Sequence, residues 1–123
     1  MQGKRGIVLF AHGSRDARWR EPIEAVAHRI TERDPGALVS CAYLELVQPD
    51  LPTAVAQLVA RGAGSVRVVP IFLGMGKHLR EDLPNLMAQL TANHPGVAIT
   101  LQKAVGEESQ VIDLLAKIAW QDG

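Results

Sequence analysis

The chain holds a single cysteine, Cys41, in 123 residues. That excludes an internal disulfide and a metal site built on a cysteine cluster. It also lacks an excess of charge of either sign: 13 basic and 13 acidic side chains give a formal net charge of zero. With no field of one sign, nothing in the electrostatics calls for a nucleic acid or an anionic membrane surface as partner. Long hydrophobic runs are missing too, and the apolar stretches fall far short of the roughly 20 residues that span a bilayer. The opening "MQGKRGIVLF" has too short an apolar run for a signal-peptide core and no small-residue cleavage site. Linkers and low-complexity segments are absent as well. The expectation is one globular domain over residues 1–123, in the cytoplasm.

What is present is an alternation of short β-like runs with longer helical ones. Residues 6–10, 37–44, 65–72 and 97–101 are rich in Val, Ile and Leu, as strands covered on both faces should be. Between them, Ile23, Val26, Ala27 and Ile30 recur at helical spacing. So do Leu51, Ala54, Val55, Leu58 and Val59, with Asp50 as N-cap and Gly62 as a stop. Leu83, Leu86, Met87 and Leu90 form a third stripe, and Val111, Leu114, Leu115 and Ile118 a fourth. Pro22, Pro52 and Pro84 are expected in the first turns of their helices, where a missing N–H costs little. On that placing, the segment between Asp16 and Glu21 is a loop or an irregular first turn.

Four β-α units in series imply a parallel sheet with right-handed crossovers and helices on both faces, an α/β fold of three layers. Such folds bind ligands beyond the carboxyl ends of the strands, where the winding direction switches. In a flavodoxin-like order, 2-1-3-4, the switch lies between strands one and three. "VLFAHGSRD" puts His12 after strand one, and "FLGMGKHLRED" puts His78 after strand three. Glu45 follows strand two, so all three rise from one edge of the sheet.

Imidazole binds Co, Ni, Fe and Zn in its neutral form, which the positive end of a helix dipole favours. His78 stands just before the third helical pattern, and Glu45 can add a carboxylate ligand or take up a proton. Either histidine alone reads equally well as a loop residue bonded to backbone, and Glu45 alone as a solvated side chain. Two histidines at matched strand ends are harder to dismiss. His28, inside a helix, reads as a surface residue, and His94, before Pro95, as a favourable charge at a helix end. "GMGK" lacks the spacing of a phosphate loop, and "AHG" has alanine where phosphohistidine phosphatases carry arginine. Cys41, mid-strand, reads as a small core residue. Trp19 reads either as a ligand-stacking surface or as a staple on its helix. Arg15, Arg18, Arg20, Lys77 and Arg80 gather near the two loops, where they can hold carboxylates of a ligand. Asp16, Glu21, Glu81 and Asp82 are interleaved with them, so a solvated rim of mixed charge is the competing reading.

Taken together, "VLFAHGSRD", "AYLEL", "VVPIFLGMGKHLREDLP" and "AVGEESQVIDLLAKI" resemble the short sirohydrochlorin chelatases of the CbiX/SirB group, class II chelatases that insert cobalt or iron into a tetrapyrrole. The likeness runs in order over nearly the whole chain. It implies a single-lobe, chelatase-like (flavodoxin-like) fold with a four-stranded parallel sheet. It implies that His12 and His78 bind the incoming metal and that Glu45 assists them. Sirohydrochlorin carries eight carboxylates, which gives Arg15, Arg18, Lys77 and Arg80 a ligand. Larger relatives have two lobes around the tetrapyrrole, whereas small ones pair as homodimers, the state expected here.

On this resemblance the chain is a lyase of cobalamin or siroheme synthesis. Its substrates are sirohydrochlorin and Co²⁺ or Fe²⁺, with Ni²⁺ also compatible with the donors, and no organic cofactor is required. The rivals are a non-catalytic metal or tetrapyrrole carrier on the same scaffold and a nickel chelatase for a related macrocycle. A receiver-like signalling module fits less well, because the first and third strand ends carry histidine and glycine rather than clustered acids.

Overall fold

The computed structural model describes residues 3–121. The apolar runs become β1 (Lys4–Ala11), β2 (Leu38–Tyr43), β3 (Ala63–Pro70) and β4 (Ala98–Leu101). The helical patterns become α1 (Ala17–Arg33), α2 (Leu51–Ala60), α3 (Lys77–Asn93) and α4 (Ser109–Trp120), with a 3₁₀ turn at Val105–Glu107 before α4. All described strands are parallel and run in the order β2-β1-β3-β4, which is the arrangement expected from the sequence.

Alternation along the two central strands divides the core. Val8, Phe10, Val66 and Val68 face α2 and α3, where Leu51, Val55, Leu58, Leu83 and Leu90 close a large cluster. Leu9 and Ala11 face the other way and pack with Ile23 of α1 and Tyr43 of β2. In β1, Val8, Leu9 and Phe10 are each at most 2% exposed. Burying such side chains stabilises by about 1.5–3 kcal/mol apiece, and this anchors the strand that leads to His12.

Helix ends follow local chemistry. Asp50 caps α2, accepting from the Thr53 N–H at 2.9 Å. Gly62 ends the following turn at a φ of 101°, a left-handed conformation that suits glycine. Pro52 sits in the first turn of α2, as expected. Pro22 and Pro84 do not, because both lie inside longer helices than the sequence suggested. The interior position is tolerable because Pro22, Pro84 and the residues four before them, Arg18 and Arg80, are all exposed. Water can therefore solvate the carbonyls that the prolines leave without a donor. As a result, residues 17–20 are helix rather than loop, and His78 lies in the first turn of α3 rather than just ahead of it.

His28 is an exposed helix residue, and His94 is the C-cap of α3. Cys41 lies mid-β2 and half-buried; burial pushes its thiol pKa up and Glu24 adds to this, against a hydrogen bond from Tyr43. No helix among the described residues is long and apolar enough to cross a membrane.

Candidate functional site at the carboxyl edge of the sheet

Because β1 and β3 pair directly, with Phe10 beside Pro70, the loops that follow them leave the sheet side by side. The Ile71 N–H donates to the Phe10 carbonyl at 2.7 Å and extends that pairing past the strand ends. His12, one residue beyond β1, is exposed. Its ring stands edge-on to Phe72 with centroids 4.6 Å apart, and Phe72 is held in the core against Phe10. The histidine of the first loop thus leans on an aromatic ring of the third strand's loop.

Glu45 is brought to the same place by backbone. Its N–H donates to the His12 carbonyl at 2.9 Å, and the Leu44 N–H donates to Ala11 at 2.8 Å. The two segments are so close at this point that only glycine fits at residue 13. Its φ is 108°, and a Cβ there would lie 1.9 Å from the Glu45 carbonyl oxygen. The Val47 N–H then donates back to the Glu45 carbonyl at 2.9 Å, closing a γ-turn about Leu46 at a φ of 72°. A leucine held at positive φ costs about 1–3 kcal/mol, and strain of that kind gathers at functional sites.

The third loop has its own anchor. The Gly106 N–H donates to the Phe72 carbonyl at 2.9 Å. A Cβ at Gly106 would strike the Leu73 carbonyl at 2.0 Å, so the chain entering α4 presses directly on the loop leading to His78. α3 then opens at the N-cap Gly76 without a side-chain cap. His78 is exposed in its first turn. The bare N–H groups and dipole of that turn favour a carboxylate nearby.

Arg15, Arg18, Lys77 and Arg80 are all exposed around these loops. None of the four has an ion-pair partner among the described residues. Arg20 is different: its guanidinium donates to the Ser14 carbonyl at 3.1 Å and lies 3.9 Å from Glu24. It braces the first loop. Trp19 lies beside Tyr43 with centroids 6.5 Å apart and is 40% exposed. Leu44, Leu46 and Leu73 add exposed apolar surface to the same edge, Leu73 at 72%.

The structure therefore joins His12 to Glu45 through backbone and His12 to the third loop through Phe72. It does not draw the three donors into one cluster: among the described residues, no three His, Cys, Asp or Glu side chains are grouped to hold a metal ion. Sequence reasoning missed Phe72, Gly13, Leu46 and Gly106. The glycines within "AHGS" and "AVGEE" were the available signal, since each marks a close approach whose partner lies far away in sequence.

An open parallel sheet wound both ways, in the order β2-β1-β3-β4, makes this a doubly wound α/β protein, with His12 and His78 in the segments that follow the two strands at its switch point. More particularly, the chain belongs to the CbiX family, whose model matches residues 6–120. A sirohydrochlorin cobaltochelatase from Sulfolobus acidocaldarius is 30% identical over 114 residues, 93% of this chain and 89% of that protein. The chloroplastic sirohydrochlorin ferrochelatase of Arabidopsis thaliana is 28% identical over 110 residues, and the match covers only 49% of its length. Among solved structures, a CbiX protein from Marinobacter aquaeolei VT8 superposes with a TM-score of 0.78 at 37% identity, covering 94% of this chain and 93% of that one. The sirohydrochlorin chelatase SirB from Bacillus subtilis, solved with cobalt, shares the fold at a TM-score of 0.75 and 24% identity, with half of its chain matched.

Proposed function

We propose that this chain is a sirohydrochlorin chelatase, a lyase that inserts Co²⁺ or Fe²⁺ into the tetrapyrrole in cobalamin or siroheme synthesis. The observation that carries this reading is that His12 and His78 lie in the loop and the helix that follow two adjacent strands at the winding switch, in a chain of the CbiX family. Two neutral imidazoles hold a divalent ion loosely enough to pass it on. As the metal bonds to the pyrrole nitrogens, two N–H protons must leave, one for each positive charge gained by the ring. Glu45, tied to the His12 loop, accepts one, and the imidazoles released from the metal provide a base for the other. Leu44, Leu46 and Leu73 offer apolar surface to the flat ring. Arg15, Arg18, Lys77 and Arg80 are free to meet its peripheral carboxylates.

A single lobe covers one face of so broad a ring. A second copy related by a two-fold axis covers the other without new sequence, so the working form is a homodimer of single-domain chains. The test is anaerobic: protein, sirohydrochlorin and Co²⁺ or Fe²⁺, followed by absorbance against a protein-free control. Protein-dependent conversion to the metallated spectrum, lost in His78→Ala at unchanged thermal stability, is the expected result. Binding without conversion would make the chain a carrier, and full turnover in His78→Ala would remove that histidine from the mechanism.

A further inference from the structure

An imidazole that ligates a metal is ordinarily held by its second ring nitrogen, which bonds to a carboxylate, a carbonyl or a water and so fixes the plane of the ring. His12 has no such bond within the protein. Among the described residues, no side-chain hydrogen bond or ion pair reaches either of its ring nitrogens. Its backbone is nevertheless fixed. The His12 carbonyl accepts from the Glu45 N–H at 2.9 Å, and Gly13 follows at a φ of 108°. What stays free is rotation of the side chain about its own bonds, and an exposed imidazole that turns freely must lose that freedom each time it takes up an ion.

Phe72 meets that side chain. The two ring centroids are 4.6 Å apart with the planes at 67°, the edge-to-face arrangement that aromatic quadrupoles favour. Phe72 itself has nowhere to go. It is 5% exposed, stands edge-on to the buried Phe10 at 5.9 Å and 82°, and packs in the large core cluster shared with α2 and α3. Its backbone is tied as well: the Ile71 N–H donates to the Phe10 carbonyl at 2.7 Å, and the Phe72 carbonyl accepts from the Gly106 N–H at 2.9 Å. An exposed imidazole thus rests against an immobile ring, and that ring belongs to the loop that leads to His78.

We infer that Phe72 is a positioning residue for metal transfer: its ring holds the His12 imidazole in one orientation, in place of the hydrogen bond that such a ligand usually makes. The substitution has a chemical consequence. A carboxylate at the second nitrogen would raise the basicity of the imidazole and tighten its hold on the metal. A phenyl ring orients the imidazole without that effect, which suits an ion that must be passed on. The inference rests on the proposed role of His12 as a ligand, and its test separates the two.

The test is made on the whole chain, by NMR of its four histidine side chains, with His12 assigned from its loss in His12→Gln. In the wild type, the His12 ring is expected to show Overhauser contacts to the Phe72 ring and far higher order than the ring of His28, an exposed helix residue. In Phe72→Leu, which keeps an apolar side chain in the core, that order should fall to the level of His28. The Kd for Co²⁺ alone, measured by calorimetry without tetrapyrrole, should rise by about 3–10-fold, the factor that one aromatic pair contact is worth. Leu58→Ala is the comparison, because Leu58 is 1% exposed in the same core cluster but lies on α2. It should lower thermal stability and leave both readouts at their wild-type values. Unchanged ring order and Kd in Phe72→Leu would overturn the inference, as would a loss no greater than that in Leu58→Ala. A wild-type His12 ring as mobile as that of His28 would overturn it with no variant at all. Co²⁺ that left the wild-type His12 resonances untouched would strike His12 from the ligand set and the inference with it; that result falls on the chelatase reading, which the others leave standing.

Discussion

Replacing Gly13 with alanine tests whether the backbone contact between the first two loops builds the site. The new Cβ would stand 1.9 Å from the Glu45 carbonyl oxygen, at a φ of 108° that no L side chain adopts comfortably. Backbone strain of this sort costs about 1–3 kcal/mol. Relieving the overlap means separating the loops, which breaks the Glu45-to-His12 hydrogen bond of 2.9 Å, worth about 1 kcal/mol net. Together these give about 2–4 kcal/mol, read as a lower urea midpoint at unchanged m-value. Turnover should fall further than stability explains, because Glu45 no longer sits beside His12. Gly96→Ala is the control, since a Cβ there meets nothing within 4 Å and should change stability by under about 0.5 kcal/mol. If Gly13→Ala matched that control in both midpoint and turnover, the close approach would not matter, and the account of how Glu45 is placed would fail.

Three further outcomes follow from the same structure. Leu46→Gly removes the cost of a leucine at a φ of 72° but loosens the unfolded chain by a comparable amount. Thermal stability should therefore stay within about 1 kcal/mol while turnover drops; equal turnover would show that the γ-turn holding Glu45 is not used. Asp50→Ala should cost about 1 kcal/mol as a lost helix cap. Hydrogen bonds from the Thr53 side chain and N–H hold the Asp50 carboxyl below its ordinary range, so this contribution exists at neutral pH and is lost as pH falls through the depressed value. Denaturation of the two proteins should converge in acid, and a gap that stayed constant with pH would contradict the cap. Tyr43 is the only tyrosine, and burial, with Cys41 and Glu24 nearby, pushes it up to about 12. Its ultraviolet titration should centre there in the folded protein and near about 10 in urea. The raised value favours the fold fully below about pH 10 and is lost as pH rises through about 12; a folded midpoint near 10 would place the phenol in water.

Strand order was legible in the sequence because it rests on local chemistry. Runs of Val, Ile and Leu separated by helical stripes leave few parallel topologies, and His12, the residue after β1, stands at that strand's carboxyl end. What escaped was anything set by two distant segments meeting. Pro22 and Pro84 were placed in first turns because proline alone suggests a helix start, yet exposure of Arg18 and Arg80 lets both helices run through them. Gly13, Phe72 and Gly106 look ordinary in the sequence, and their meaning lies in Glu45, His12 and Leu73.

The fourth helix makes the same point from the other side. Val111, Leu114, Leu115 and Ile118 form as regular a stripe as any in the chain, and periodicity correctly marks a helix there. Periodicity says that the stripe needs a partner, but not which one. The first three helices find theirs on their own sheet, whereas no residue of α4 is buried in the single chain. A pattern that reads as core in the sequence is thus surface in the single chain. A stripe of helical period therefore fixes the element but not its burial, which depends on a second surface lying within reach.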